Sequence, residues 1–128
     1  MYEVLKFRHE AIEEAESYYK TLHLGPGQRG ITQGIAKIAS KYLPLSEKPL
    51  MGITWRVMIT WQTKHKIDIK EVGQNYTPQQ RIEVVSELLD MAYKELTRIL
   101  ISKEQEPLLK QALNEVLEFY IKNFANRK

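Results

Sequence analysis

The strongest constraint in this sequence is a helix start signal followed by a long apolar repeat. Thr77-Pro78-Gln79-Gln80 offers Thr as N-cap, Pro at the first helical position, where no amide N–H is needed, and Gln at the third to return the capping bond. Ile82, Val85, Leu89, Ala92, Leu96 and Ile99 then recur three and four residues apart, with Leu88 and Leu100 broadening the stripe. That period predicts an amphipathic helix over 78–101, and its seam has to be covered by other helices. Ser102 to Pro107 interrupts or kinks the pattern, because Pro107 lacks the N–H that a helix interior uses. Beyond it, Leu109, Ala112, Leu113, Val116, Leu117, Tyr120, Ile121 and Phe124 predict a last helix over 108–124 with an unusually wide apolar face.

The N-terminal half supplies the covering helices. Val4, Leu5, Ile12, Ala15, Tyr19 and Leu22, widened by Ala11 and Tyr18, predict a helix from Val4 to Leu22 with Glu10, Glu13, Glu14 and Glu16 on its other side. Leu24-Gly25-Pro26-Gly27-Gln28-Arg29-Gly30 ends it in a tight loop. A second helix follows from Ile31 to Leu43, with Ile31, Ile35, Ile38, Ala39 and Tyr42 inward and Lys37 and Lys41 outward as an i,i+4 pair. Pro44 stops it, and Leu45 to Met51, with Pro49, reads as a connector.

The segment 53–72 supports two readings. Ile53, Trp55, Val57, Ile59 and Trp61 alternate with Thr54, Arg56, Met58, Thr60 and Gln62 as a strand would, with Thr63 to Lys66 as a turn and Ile67 and Ile69 on a return strand. Met58, Trp61, His65, Ile69 and Val72 equally line one face of a helix. The expected fold class is therefore mainly α, a bundle of four or five helices in a single domain over 1–128, with 53–72 either a helix or a small β-hairpin. The helices over 78–101 and 108–124 form an antiparallel pair if the break near Ser102 is a true turn.

A chain of 128 residues can bury a core of its own, and its lack of cysteine rules out disulfides and thiolate chemistry and points to a reducing, cytoplasmic setting. No apolar run approaches the roughly 18 to 20 residues of a membrane span, and the start reads as amphipathic without a signal peptide, so no membrane role is expected. The net charge of +3 is unevenly spread: residues 1–23 carry three Lys/Arg against five Glu, 24–73 carry eight against three acids, and 74–128 carry eight against eight.

Motifs for chemistry are missing. Gly25-Pro26-Gly27-Gln28-Arg29-Gly30 fits G-x-G-x-x-G by letter, but a helix, not a strand, precedes it, so a dinucleotide fold is not implied. The loop's N–H groups beside Arg29 could still hold a phosphate at a helix start. A di-metal carboxylate bundle needs Glu-x-x-His, and no histidine stands three residues after a glutamate. None of the serines has a nucleophile-elbow context. A helix-turn-helix in 31–61 would need a tighter join than Pro44 to Pro49 provides. No catalytic residue, metal ligand or cofactor is expected.

The basic, aromatic middle is what remains. Lysines and arginines neutralise phosphates, and exposed aromatics stack on unpaired bases, so the candidate nucleic-acid contacts are Arg29, Lys37, Lys41, Arg56, Lys64 and Lys66, with Trp55 or Trp61 as stacking platforms. RNA or single-stranded DNA is then the expected partner ahead of duplex. In size, charge balance, helical content and absence of an active-site motif, the chain resembles the small helical subunits of CRISPR effector complexes. That resemblance is one of architecture and carries no residue across; it implies a helical bundle that lends basic surface to a nucleoprotein without catalysis. The expected function is thus a non-enzymatic nucleic-acid-binding subunit of a larger assembly. The alternative is an interaction or regulatory adaptor that self-associates through its helices over 78–101 and 108–124.

Overall fold

The computed structural model describes residues 4–22 and 30–125, the last two and Gly30 without their side chains. Among the described residues six helices follow one another: α1 (His9–Thr21), α2 (Gly30–Tyr42), α3 (Glu47–His65), α4 (Ile69–Asn75), α5 (Pro78–Arg98) and α6 (Glu106–Tyr120). A 3-10 turn, Lys103–Gln105, leads into α6, and a π-helical turn, Ile121–Ala125, leaves it. The mainly α expectation stands, with six helices in place of four or five and no strand among the described residues.

Segment 53–72 takes the helical reading, divided between α3, which runs to His65, and α4, which begins at Ile69. The strand pattern would have set Ile53, Trp55, Val57, Ile59 and Trp61 on one face; instead Ile53, Thr54, Val57, Met58 and Trp61 are buried, while Ile59 is 40% exposed. The β-branched threonines are accommodated because their hydroxyls donate to carbonyls one turn back: Thr54 to Leu50 at 2.8 Å, Thr60 to Arg56 at 3.0 Å and Thr63 to Ile59 at 3.0 Å. The expected connector 45–51 is corrected as well, since α3 already begins at Glu47. Pro49 lies in its first turn, where a helix needs no donor. The helix ends at Lys66, whose left-handed backbone (φ 57°) lets its N–H donate to the Gln62 carbonyl at 2.7 Å. Asp68 then caps α4 by accepting from the Lys70 N–H at 2.9 Å.

α3 is the central helix and packs against α1, α2 and α5. It meets α1 most closely at Gly52, where a Cβ would lie 2.8 Å from the Ala15 carbonyl carbon and inside the contact distance of its oxygen. Glycine at that position is what lets the two backbones approach.

The start of α1 also differs from expectation. Residues Leu5 to Arg8 form a non-helical strap, with Leu5 and Phe7 buried and Lys6 and Arg8 exposed. Phe7 pairs antiparallel with Leu100; the Arg8 N–H donates to the Ile99 carbonyl at 2.8 Å, and the Ile101 N–H donates to the Lys6 carbonyl at 2.9 Å. The Gln105 side chain closes the strap, accepting from the Lys6 N–H at 3.0 Å and donating to the Val4 carbonyl.

α5 opens as its sequence dictates: the Gln80 N–H donates to Thr77 Oγ1 at 3.2 Å and the Thr77 N–H to Gln80 Oε1 at 2.9 Å. The break at 102–107 is a true connection, with Pro107 in the first turn of α6, and α6 packs on both α5 and α2. One apolar cluster unites the fold, fed by every helix from Ala15 of α1 to Val116 and Tyr120 of α6. Among the described residues no helix is long and apolar enough to cross a membrane.

Candidate nucleic-acid interface

The basic residues of the middle region divide into two groups according to whether the fold already supplies them with a carboxylate. Arg56 leaves α3 beside α1, where its Nη2 lies 3.3 Å from Glu14 Oε1 and its guanidinium stacks 4.5 Å from the Tyr18 ring centroid. Lys64 is committed in the same way at the far end of α3. Trp61, Lys64 and His65 are spaced i, i+3 and i+4, so they share one edge of that helix, and all three converge on Glu87 of α5. Lys64 Nζ lies 3.0 Å from Glu87 Oε2, the Trp61 Nε1–H donates to Oε1 at 3.1 Å, and His65 Nε2 lies 2.9 and 3.0 Å from the two oxygens, which places its proton on Nε2.

The hydrogen bond from His65, joined by those from Lys64 and Trp61, outweighs partial desolvation and holds the Glu87 carboxyl at about 2, well below its ordinary 4.5. This cluster joins α3 to α5. It also corrects the expectation for Trp61: at 2% exposure, with its N–H bound to Glu87 and its ring 4.8 Å from that of His65, the indole has no face to offer a base. Trp55 is half-buried on α3.

The second group has no carboxylate partner among the described residues. Helix α2 contains no Asp or Glu, and Gln33, Lys37 and Lys41 form an exposed row along it, one turn apart, opposite the buried Ile35, Ala39 and Leu43. Lys41 Nζ rests 4.9 Å from the centroid of Phe119 on α6, a cation–π contact that steadies the side chain without neutralising it. Lys37 forms no ion pair among the described residues, nor does Lys66, which is exposed at the end of α3. Lys37 and Lys41 are thus brought together, Lys66 stands apart from them at the α3–α4 corner, and Arg29 lies outside the described residues.

Family models, curated proteins and solved structures give no match to this chain. What the face can do follows from its own chemistry.

Two further features bear on the site. A cleft of about 160 Å³ opens beside the α2 row, lined by Tyr19 of α1, Gln33 and Ala36 of α2, and Glu47, Lys48 and Met51 of α3. Nothing in the linear spacing of these residues announces it, since three helices assemble it. The apolar faces of α5 and α6, in turn, point inward: Val85, Leu88, Leu89, Ala92 and Leu96 of one and Leu109, Ala112, Leu113 and Val116 of the other are all buried. The large apolar side chains left exposed among the described residues are Val4, Ile59 and Ile101, none of them on those two faces. Much of the width that suggested self-association is taken up by packing within the chain; Ile82, Leu117 and Ile121 are half-buried, and the Phe124 side chain lies outside the described ones. No group of three or more His, Cys, Asp or Glu that could hold a metal ion occurs among the described residues.

Proposed function

We propose that the chain is a non-catalytic nucleic-acid-binding subunit of a larger nucleoprotein assembly, and that the outer face of α2 is its phosphate-contacting surface. One observation carries the reading: α2 displays Lys37 and Lys41 and not a single carboxylate, whereas Arg56 and Lys64 are paired within the fold. An ammonium without a carboxylate partner can exchange its counterion for a phosphate at little cost, and the released counterion drives binding. A cation that must first leave an internal partner gains less.

The same face argues for an assembly. A row with two lysines makes few phosphate contacts, and two contacts give only weak binding at physiological salt. Such a surface becomes effective when several copies, or other subunits, engage one strand together. This is the role implied by the resemblance to the small helical subunits of CRISPR effector complexes, which we retain as part of the proposal.

The test is binding of labelled single-stranded RNA, single-stranded DNA and duplex DNA at two salt concentrations, with the wild type and the double charge reversal K37E/K41E. Weak binding that falls with salt, with a log–log slope of about 1.4 as two phosphate contacts require, and that is lost in the double reversal is expected. Binding that survives the reversal would remove α2 from the interface.

A further inference from the structure

We propose that the cleft between α1, α2 and α3 receives one unpaired nucleobase of a strand whose phosphates run along Lys37 and Lys41; this rests on the reading of α2 as the phosphate-contacting face. The cleft and the lysine row are continuous through Gln33, which lines the cleft and precedes Lys37 by one helical turn. A backbone held at the row therefore passes the mouth of the cleft.

Size and lining select the occupant. At about 160 Å³ the cleft falls well below the roughly 300–1,000 Å³ that take a drug-sized ligand, so it suits a single ring system. Its floor is apolar, made by the buried Ala36 and Met51, and Tyr19 provides an aromatic wall. The Gln33 amide can donate or accept, the Glu47 carboxylate accepts from an exocyclic amine or ring N–H, and Lys48 adds a cation. Glu47 and Lys48 leave the rim without net charge, so a phosphate is drawn to the unpaired Lys37 and Lys41 and the neutral base is the part that goes in.

This gives the stacking function that the sequence suggested for the tryptophans to a different ring, Tyr19. The larger groove between α3 and α5, about 340 Å³, offers no comparable selection. Its charged residues, Arg56 and Glu95, are already paired with Glu14 and Arg98.

The experiment compares two single DNA strands of about 12 nucleotides, one with all its bases and one with the same sugar-phosphate chain lacking them. The ratio of their affinities is read separately for each protein, so the phosphate contribution cancels. The wild type should favour the base-bearing strand at least about fivefold, the lower end of what one stacked base contributes. Tyr19→Leu, which keeps apolar contact but loses the ring, should bring the ratio close to one while K37E/K41E weakens both strands alike. Gln33→Ala, at an exposed position that does not threaten folding, should halve the preference or more.

Equal binding of the two strands by the wild type, still dependent on Lys37 and Lys41, would overturn the base pocket and leave the phosphate reading standing. A preference unchanged in both variants would overturn the pocket too. Failure of the wild type to bind either strand even at low salt, where phosphate contacts are strongest, would overturn both readings.

Discussion

Gly52→Ala sets two calculable effects against each other. Within a helix, exchanging Gly for Ala ordinarily stabilises by about 0.5–1 kcal/mol, because the unfolded chain loses freedom and the helix gains a better former. At Gly52 the new methyl would sit 2.8 Å from the carbonyl carbon of Ala15 and closer still to its oxygen. These are backbone atoms and cannot rotate away, so α1 has to move off α3. Overpacking of this kind costs about 1–3 kcal/mol, and the contacts opened along the rest of the interface add to it. The clash should win, leaving the variant about 2 kcal/mol less stable, or about 8 °C lower in Tm for a domain of this size. Thermal and urea unfolding followed by circular dichroism read the change directly. Gly34→Ala on α2 and Gly73→Ala on α4 are the controls, since a Cβ at either position meets nothing within 4 Å, and each should be neutral or slightly stabilising. Gly52→Ala as stable as Gly34→Ala would show that the α1–α3 approach is not what holds glycine there.

Three further outcomes follow from the structure. Because the Glu87 carboxyl is lowered from 4.5 to about 2, its contribution is fully present above pH 4.5 and is lost as pH falls from there toward 2. The side chain is 32% exposed, so screening reduces a ceiling of about 3 kcal/mol to about 1, and Glu87→Gln should remove that much of the acid dependence in a stability-versus-pH series. Thr77→Ala removes the hydroxyl that accepts from the Gln80 N–H, while the Thr77 N–H to Gln80 bond can persist, and should cost about 1 kcal/mol in urea unfolding. Replacing Lys37 and Lys41 together by Ala should flatten the dependence of log affinity on log salt for single strands by about 1.4, whereas Arg56→Gln should leave that slope unchanged.

The helices that could be read from the sequence are those with one buried stripe and one solvated face. α2, α5 and α6 meet that condition, and the capping box at Thr77 marked the start of α5 to the residue. α3 does not, because α1, α2 and α5 surround it. Its buried residues run from Pro49 and Leu50 through Gly52, Ile53 and Thr54 to Trp61, spread so widely around the axis that helical period fades and alternation is equally visible. The strap 5–8 was hidden for a different reason: its alternation spans only Leu5 and Phe7, and its hydrogen-bond partners, Ile99, Ile101 and Gln105, are more than ninety residues away.

The same distinction governs the candidate site. A count of charges located the basic middle region, but whether a cation faces outward unneutralised depends on carboxylates distant in sequence. Arg56 is paired by Glu14, 42 positions earlier, and Lys64 by Glu87, 23 positions later. Helix α2 escapes because it carries no acid of its own and its inner face packs on α3 and α6 mainly through apolar side chains, among them Ile35, Ile38 and Ala39. A surplus of +5 over 24–73 is therefore not one patch. Folding neutralises Arg56 and Lys64 of α3 against α1 and α5 and leaves Lys37 and Lys41 side by side on α2 without an ion pair among the described residues, beside the cleft rimmed by Glu47 and Lys48.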